Sequence, residues 1–141
     1  MADEAITHAT SAETKGKTVL IVDDDNFLLD MYAMRFTQAG FTVETAMSAQ
    51  ATLEKLRAGL VPDVILLDVV MPAVDGFELL ETINQEGLVP NVIKIYLSNL
   101  SQEQDLARGK ALGAASYIVK ANSTPSEVLA HVLEVMKNHE K

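Results

Sequence analysis

The sequence predicts an α/β fold, a doubly wound, five-stranded parallel sheet with strand order 2-1-3-4-5. Five short apolar runs recur along the chain, separated by segments whose apolar residues repeat at helical spacing. Such a run bounded by polar residues reads as a strand buried on both faces, and regular alternation with helices makes a parallel sheet covered on both sides. Acidic residues stand at the ends of two of these runs: Asp23, Asp24 and Asp25 follow Thr18–Val22, and Asp68 follows Asp63–Leu67. In this strand order the first and third strands are neighbours at the topological switch point, the edge where ligands bind.

Each element has its own signal. Residues 1–16 are rich in Ala, Thr, Ser and Glu without apolar periodicity, which predicts a flexible tail and leaves 17–141 as one folded domain. After the first strand, Phe27, Leu28, Met31, Tyr32 and Phe36 mark a helix that Asp25 can cap and Gly40 stops. Phe41–Ala46 is the second strand; Ser48 caps a helix carrying Ala51, Leu53 and Leu56 that stops at Gly59. The third strand ends at Asp68, Met71-Pro72 breaks the chain, and a helix from about Asp75 carries Phe77, Leu79, Leu80 and Ile83. Val92–Leu97 is the fourth strand. Ser101 to Gln104 fits a capping box for a helix that ends near Gly113. Ser116–Val119 is the fifth strand, with Lys120 at its end, and Thr124-Pro125-Ser126-Glu127 is a second capping box opening a helix to about Asn138.

Composition narrows the function. With 141 residues and 48% hydrophobic content the chain can bury one core of ordinary size. A net charge of -9 disfavours direct contact with nucleic acid or with an anionic membrane, because no Lys/Arg cluster offsets the acids. The absence of cysteine removes disulfide and thiolate chemistry. No segment approaches the roughly 20 apolar residues of a membrane span, and the start Met1-Ala2-Asp3-Glu4 lacks the features of a secretory signal. The expectation is a cytoplasmic protein.

The acidic residues want a cation. If the first and third strands are neighbours, Asp23, Asp24 and Asp68 converge, and their repulsion is relieved by a hard divalent ion such as Mg2+. Lys120, at the end of the fifth strand, adds a positive group at the same edge.

From about residue 17 to 138 the chain resembles a response-regulator receiver domain. The resemblance rests on Val19-Leu20-Ile21-Val22-Asp23-Asp24-Asp25, on the run from Asp63 through Asp68 and Met71-Pro72 to Asp75-Gly76-Phe77-Glu78-Leu79, on Leu97-Ser98-Asn99, and on Gly113 to Lys120. It implies a flavodoxin-like receiver fold in which Asp68 is the phosphoacceptor of a two-component system. The phosphoryl donor would be a sensor histidine kinase or a histidine phosphotransfer protein. By the same resemblance, Mg2+ is held by Asp24, Asp68 and the backbone carbonyl of Val70, with Asp23 acting through a metal-bound water. Lys120 pairs with a phosphoryl oxygen, Ser98 donates its hydroxyl to another, and Tyr117 is the aromatic that follows the movement of Ser98. The family signals through protein contacts of its fourth helix, fifth strand and fifth helix, here about residues 101 to 138, and catalyses only its own phosphorylation and dephosphorylation.

Other readings compete at particular residues. Asp25 reads as a helix cap, and Asp75-Gly76 as the chemistry of a helix start. His131 shares a polar stripe with Glu127, Glu134 and Asn138, which places it in solvent, while His8 belongs to the tail. A Mg-dependent phosphohydrolase of the haloacid-dehalogenase kind also uses an Asp nucleophile at a strand end, but it needs a second Asp two residues later, where Val70 stands. A flavin- or nucleotide-binding domain would need a phosphate loop after the first strand, which is missing. Departures from the receiver pattern are Asn99, where a small Ala is usual, Ala121, where Pro is usual, and Pro125, displaced by one residue. Since the chain ends about 20 residues past Lys120, the sequence also suggests a receiver without an effector domain.

Overall fold

The computed structural model describes residues 14–100 and 102–139. Residues 1–13, which hold His8 and most of the expected tail, and Ser101, the expected helix cap, lie outside the described residues. In chain order the elements are β1 (Thr18–Val22), α1 (Asn26–Gln38), β2 (Thr42–Ala46), α2 (Ala49–Arg57), β3 (Val64–Leu67), α3 (Gly76–Gln85), β4 (Ile93–Ser98), α4 (Glu103–Ala111), β5 (Ser116–Val119), a 3-10 turn (Lys120–Asn122) and α5 (Pro125–His139). The strands form one sheet in the order β2-β1-β3-β4-β5, every neighbouring pair parallel.

Successive side chains of a strand point to opposite faces, so each apolar run feeds two cores. Val19, Ile21, Val64, Leu66, Ile95 and Leu97 pack under α1 and α5 against Phe36, Val128 and Val132. Leu20, Val22, Ile65, Leu67 and Tyr96 face the other way, towards Leu56 of α2 and Phe77, Leu79, Leu80 and Ile83 of α3. The central strands β3 and β4 are buried throughout, whereas the edge strands β2 and β5 are mostly half-buried. That difference is what covering both faces of a parallel sheet produces.

The expected caps form. Asp25 accepts from the Leu28 amide, Ser48 from Ala51, and Thr124 and Glu127 exchange bonds across the first turn of α5. Helix α4 follows Gln102, whose side chain makes no cap bond among the described residues; the capping box expected from Ser101 rests on a residue outside them. Thr14 is buried and its hydroxyl donates to the Ala39 carbonyl, tying the segment before β1 to the end of α1. Gly40 and Gly113, at φ +104° and +96°, take the left-handed conformation that ends α1 and α4.

Candidate functional site

The sheet ladder runs one residue past β1 and β3. The Asp23 amide donates to the Ala46 carbonyl at 3.1 Å and the Asp68 amide to the Val22 carbonyl at 3.0 Å. With Val22 paired to Leu67, Asp23 and Asp68 emerge side by side at the carboxyl edge. Both are buried, at 1% and 6% exposure, while Asp24 lies open to solvent. One carboxylate oxygen from each of Asp23, Asp24 and Asp68 lies within 4.8 Å of the others. Asp25 turns away to cap α1, and its amide donates to Asp23 Oδ1 at 2.9 Å, which fixes that carboxylate.

Lys120 completes the cluster. Its Nζ stands 2.6 Å from Asp23 Oδ2 and 2.9 Å from Asp68 Oδ2. Burial pulls the lysine pKa down, but the hydrogen bonds and charges of Asp23 and Asp68 outweigh it, and the net shift is upward. The ammonium is therefore held charged between two carboxylates, while the third remains free for a cation. Hard oxygen donors at this spacing suit Mg2+. The Val70 carbonyl, the further expected donor, accepts no hydrogen bond among the described residues, and the Val70 amide is turned to Asp68 Oδ1 at 3.2 Å.

The loop after β3 is built around Asp68. Ala73 adopts φ +68°, a left-handed conformation strained for a side chain with a Cβ. Asp75 and Glu78 form a capping box, so Asp75 is a helix-start residue, as its sequence context indicates. Gly76 does more than begin the helix. A Cβ there would stand 2.3 Å from the Asp68 carbonyl and 2.8 Å from Val69 Cα, so only glycine lets α3 start against the backbone of Asp68.

On the far side of the site, Ser98 ends β4 and is fully buried; the Leu100 amide lies 3.5 Å from its Oγ, a weak contact. Tyr117 packs its ring 5.6 Å from that of Tyr96, which in turn meets Phe77 at 5.1 Å. Arg108 covers the outer face of Phe77, 4.7 Å from its centroid. Gly109 lets α4 approach this column, since a Cβ there would reach the Tyr96 ring at 3.0 Å. Both phenol oxygens are buried without a hydrogen bond among the described residues. Burial raises the pKa of Tyr117, and the nearby Ser98 hydroxyl partly counters this without closing a properly directed bond. Tyr32, from α1, adds a third buried phenol; burial raises its pKa, the charge of Lys120 opposes that, and Asp23 and Asp68 reinforce it.

Asp23, Asp24, Asp68 and Lys120 thus meet at one edge, with Ser98 and Tyr117 on the neighbouring strands. His131 is exposed, and its Nε2 lies 2.8 Å from Ser116 Oγ. Sequence reasoning missed Gly76, Tyr32, Tyr96 and Gly109. Tyr32 was legible as part of a helix face and Gly76 as part of a helix start, but neither signal revealed its place beside Asp68.

A five-stranded parallel sheet in this order, with an acidic trio and a lysine at its carboxyl edge, is the arrangement expected of a receiver domain. The profile of the response regulator receiver domain matches residues 19–133, and the chain belongs to that family. It is 34% identical over 125 residues to the transcriptional regulatory protein CreB of Escherichia coli, covering 89% of this chain and 53% of CreB. It is 32% identical over 124 residues to the alkaline phosphatase synthesis transcriptional regulatory protein PhoP of Bacillus subtilis, covering 88% of this chain and 50% of PhoP. The chain thus spans about half the length of these curated relatives. Among solved structures, a CheY-like receiver domain protein from Methanospirillum hungatei superposes with a TM-score of 0.79 at 29% identity, over 88% of this chain and 96% of that one. Family membership sets the phosphohydrolase alternative aside. The expectation of no nucleic-acid contact finds no support in these relatives, which are transcriptional regulators. No helix among the described residues is long and apolar enough to cross a membrane.

Proposed function

We propose that this receiver domain is a phosphorylation-activated switch in which Asp68 accepts the phosphoryl group. The observation that carries the reading is the placement of the Asp68 carboxylate beside Lys120 Nζ, at 2.9 Å, within the Asp23–Asp24 cluster. An Asp68 carboxylate oxygen attacks the phosphorus of a phosphohistidine on a sensor histidine kinase or phosphotransfer protein. The new O–P bond forms as the N–P bond breaks, the imidazole leaves with the electron pair, and an acyl phosphate results. The approach of two anions needs compensating charge. Lys120 supplies one positive charge and passes from the carboxylate to a phosphoryl oxygen. Asp24, Asp68 and the Val70 carbonyl would hold Mg2+, with Asp23 acting through water; when bound, the ion neutralises phosphoryl oxygens.

Ser98 donates its hydroxyl to another phosphoryl oxygen, and Tyr117, with its unbonded hydroxyl, follows. The change is read by a target protein on the surface of α4, β5 and α5, about residues 101 to 138. The domain acts on no other substrate, and the cytoplasmic location expected from the sequence belongs to the same reading. The test is incorporation of labelled phosphate from acetyl phosphate. Incorporation that needs Mg2+, is labile to base and is lost in Asp68→Asn supports the reading, and incorporation that survives Asp68→Asn overturns it.

A further inference from the structure

Two of the positions at which this chain departs from the common receiver pattern touch each other. Asn99 follows Ser98 at the end of β4 and Ala121 follows Lys120 at the end of β5. The register pairs Ser98 with Val119, which brings the two loops together. The Ala121 amide donates to Asn99 Oδ1 at 2.8 Å. Lys120–Asn122 is a single 3-10 turn whose N-cap residue, Val119, has no side-chain acceptor. The first amides of a helical turn find no partner within it. Asn99, from another strand, supplies what Val119 lacks. A proline at 121 would have no N–H to give, so this bond depends on both departures together.

The turn that Asn99 caps is the one that carries Lys120. Within the turn, the backbone bond to the Lys120 carbonyl comes from the Ser123 amide at 3.1 Å, and the Lys120 side chain spans to Asp23 and Asp68. We propose that Asn99 is a positioning residue for phosphoryl transfer: by holding the Ala121 amide it fixes the Lys120 turn, and by following Ser98 it ties that turn to the loop bearing the switch hydroxyl. The proposal rests on the reading of Asp68 as phosphoacceptor. A shift of Ser98 is then transmitted to the Lys120 turn through one hydrogen bond, and the placement of Lys120 is felt at Ser98.

The experiment compares wild type, Asn99→Ala, Ala121→Pro and the double variant in the rate of phosphate incorporation from acetyl phosphate with Mg2+. Asn99→Ala slows incorporation roughly two- to tenfold, the effect of one lost hydrogen bond. Whatever Ala121→Pro does alone, adding Asn99→Ala to it changes nothing further, because the amide is already gone. In the unphosphorylated protein, hydrogen exchange at the Ala121 amide speeds up by a similar roughly two- to tenfold factor in Asn99→Ala. It stays slow in Asn99→Asp, which keeps an acceptor. An equal effect of Asn99→Ala in both backgrounds would mean that Asn99 acts by narrowing access to Asp68, and it would overturn the proposal. So would unchanged exchange at Ala121. Failure of the phosphoacceptor reading is seen separately, as no incorporation by wild type or as incorporation that survives Asp68→Asn, and leaves the exchange result to report on the bond itself.

Discussion

Replacing Lys120 with Met removes the cation that stands between two buried carboxylates while keeping the length of the side chain. The ammonium lies 2.6 Å from Asp23 and 2.9 Å from Asp68. At an effective dielectric of about 20 each contact carries roughly 6 kcal/mol of gross attraction. Desolvation of the three charges offsets several kcal/mol per ion. The variant keeps the desolvation of Asp23 and Asp68 but loses the attraction, and removing one partner of a buried pair costs about 3–5 kcal/mol. Urea unfolding in EDTA should therefore show Lys120→Met less stable than wild type by about that amount. Magnesium, binding only the native cluster, should restore more stability to the variant than to wild type. The pH dependence has a definite sign. Lys120 binds its proton more tightly folded than unfolded. Its stabilisation is complete below the ordinary lysine pKa of about 10.4 and is lost as pH rises through the higher folded value. The gap between wild type and variant should close in that alkaline range. A loss under about 1 kcal/mol in EDTA would refute the reasoning, because it would mean that the two carboxylates do not depend on the lysine.

Other substitutions probe the surroundings of the site. Tyr96→Phe removes a buried hydroxyl without a partner and should raise the unfolding free energy by about 1 kcal/mol, and a decrease in urea melts would show that the hydroxyl is bonded after all. Gly76→Ala drives a Cβ against the Asp68 carbonyl and should cost about 3 kcal/mol or more, seen as a lower thermal midpoint; an unchanged midpoint would contradict the close packing of α3 on the site. Lys94 is buried in β4 and its pKa is lowered by desolvation, so Lys94→Met should shift the urea midpoint upward, most clearly at neutral and acidic pH where the lysine is charged; a downward shift would reveal a partner for the ammonium.

The strands and most caps were legible because their causes are local. β1 and β5 fall on the expected runs, and Asp25, Ser48 and the Thr124–Glu127 pair act as the spacing indicates. The convergence of Asp23, Asp24, Asp68 and Lys120 was legible at one remove, since it follows from strand order once each group is placed at a strand end. What escaped depends on register and packing. Lys94 lies inside the run read as the fourth strand, but that its charged side chain is buried there was not legible. Gly76 matters because of the backbone eight residues earlier, and the bond between Asn99 and Ala121 exists only through the pairing of Ser98 with Val119.

The central claim is that Asp68 carries the phosphoryl group, and reductive trapping tests it most directly. Protein incubated with acetyl phosphate and Mg2+ is treated with borohydride, which reduces an acyl phosphate of aspartate to homoserine, then digested and sequenced by mass spectrometry. The account predicts homoserine at position 68 alone, dependent on acetyl phosphate. Homoserine at Asp23 or Asp24, or unmodified Asp68 in protein that has taken up phosphate, would contradict it.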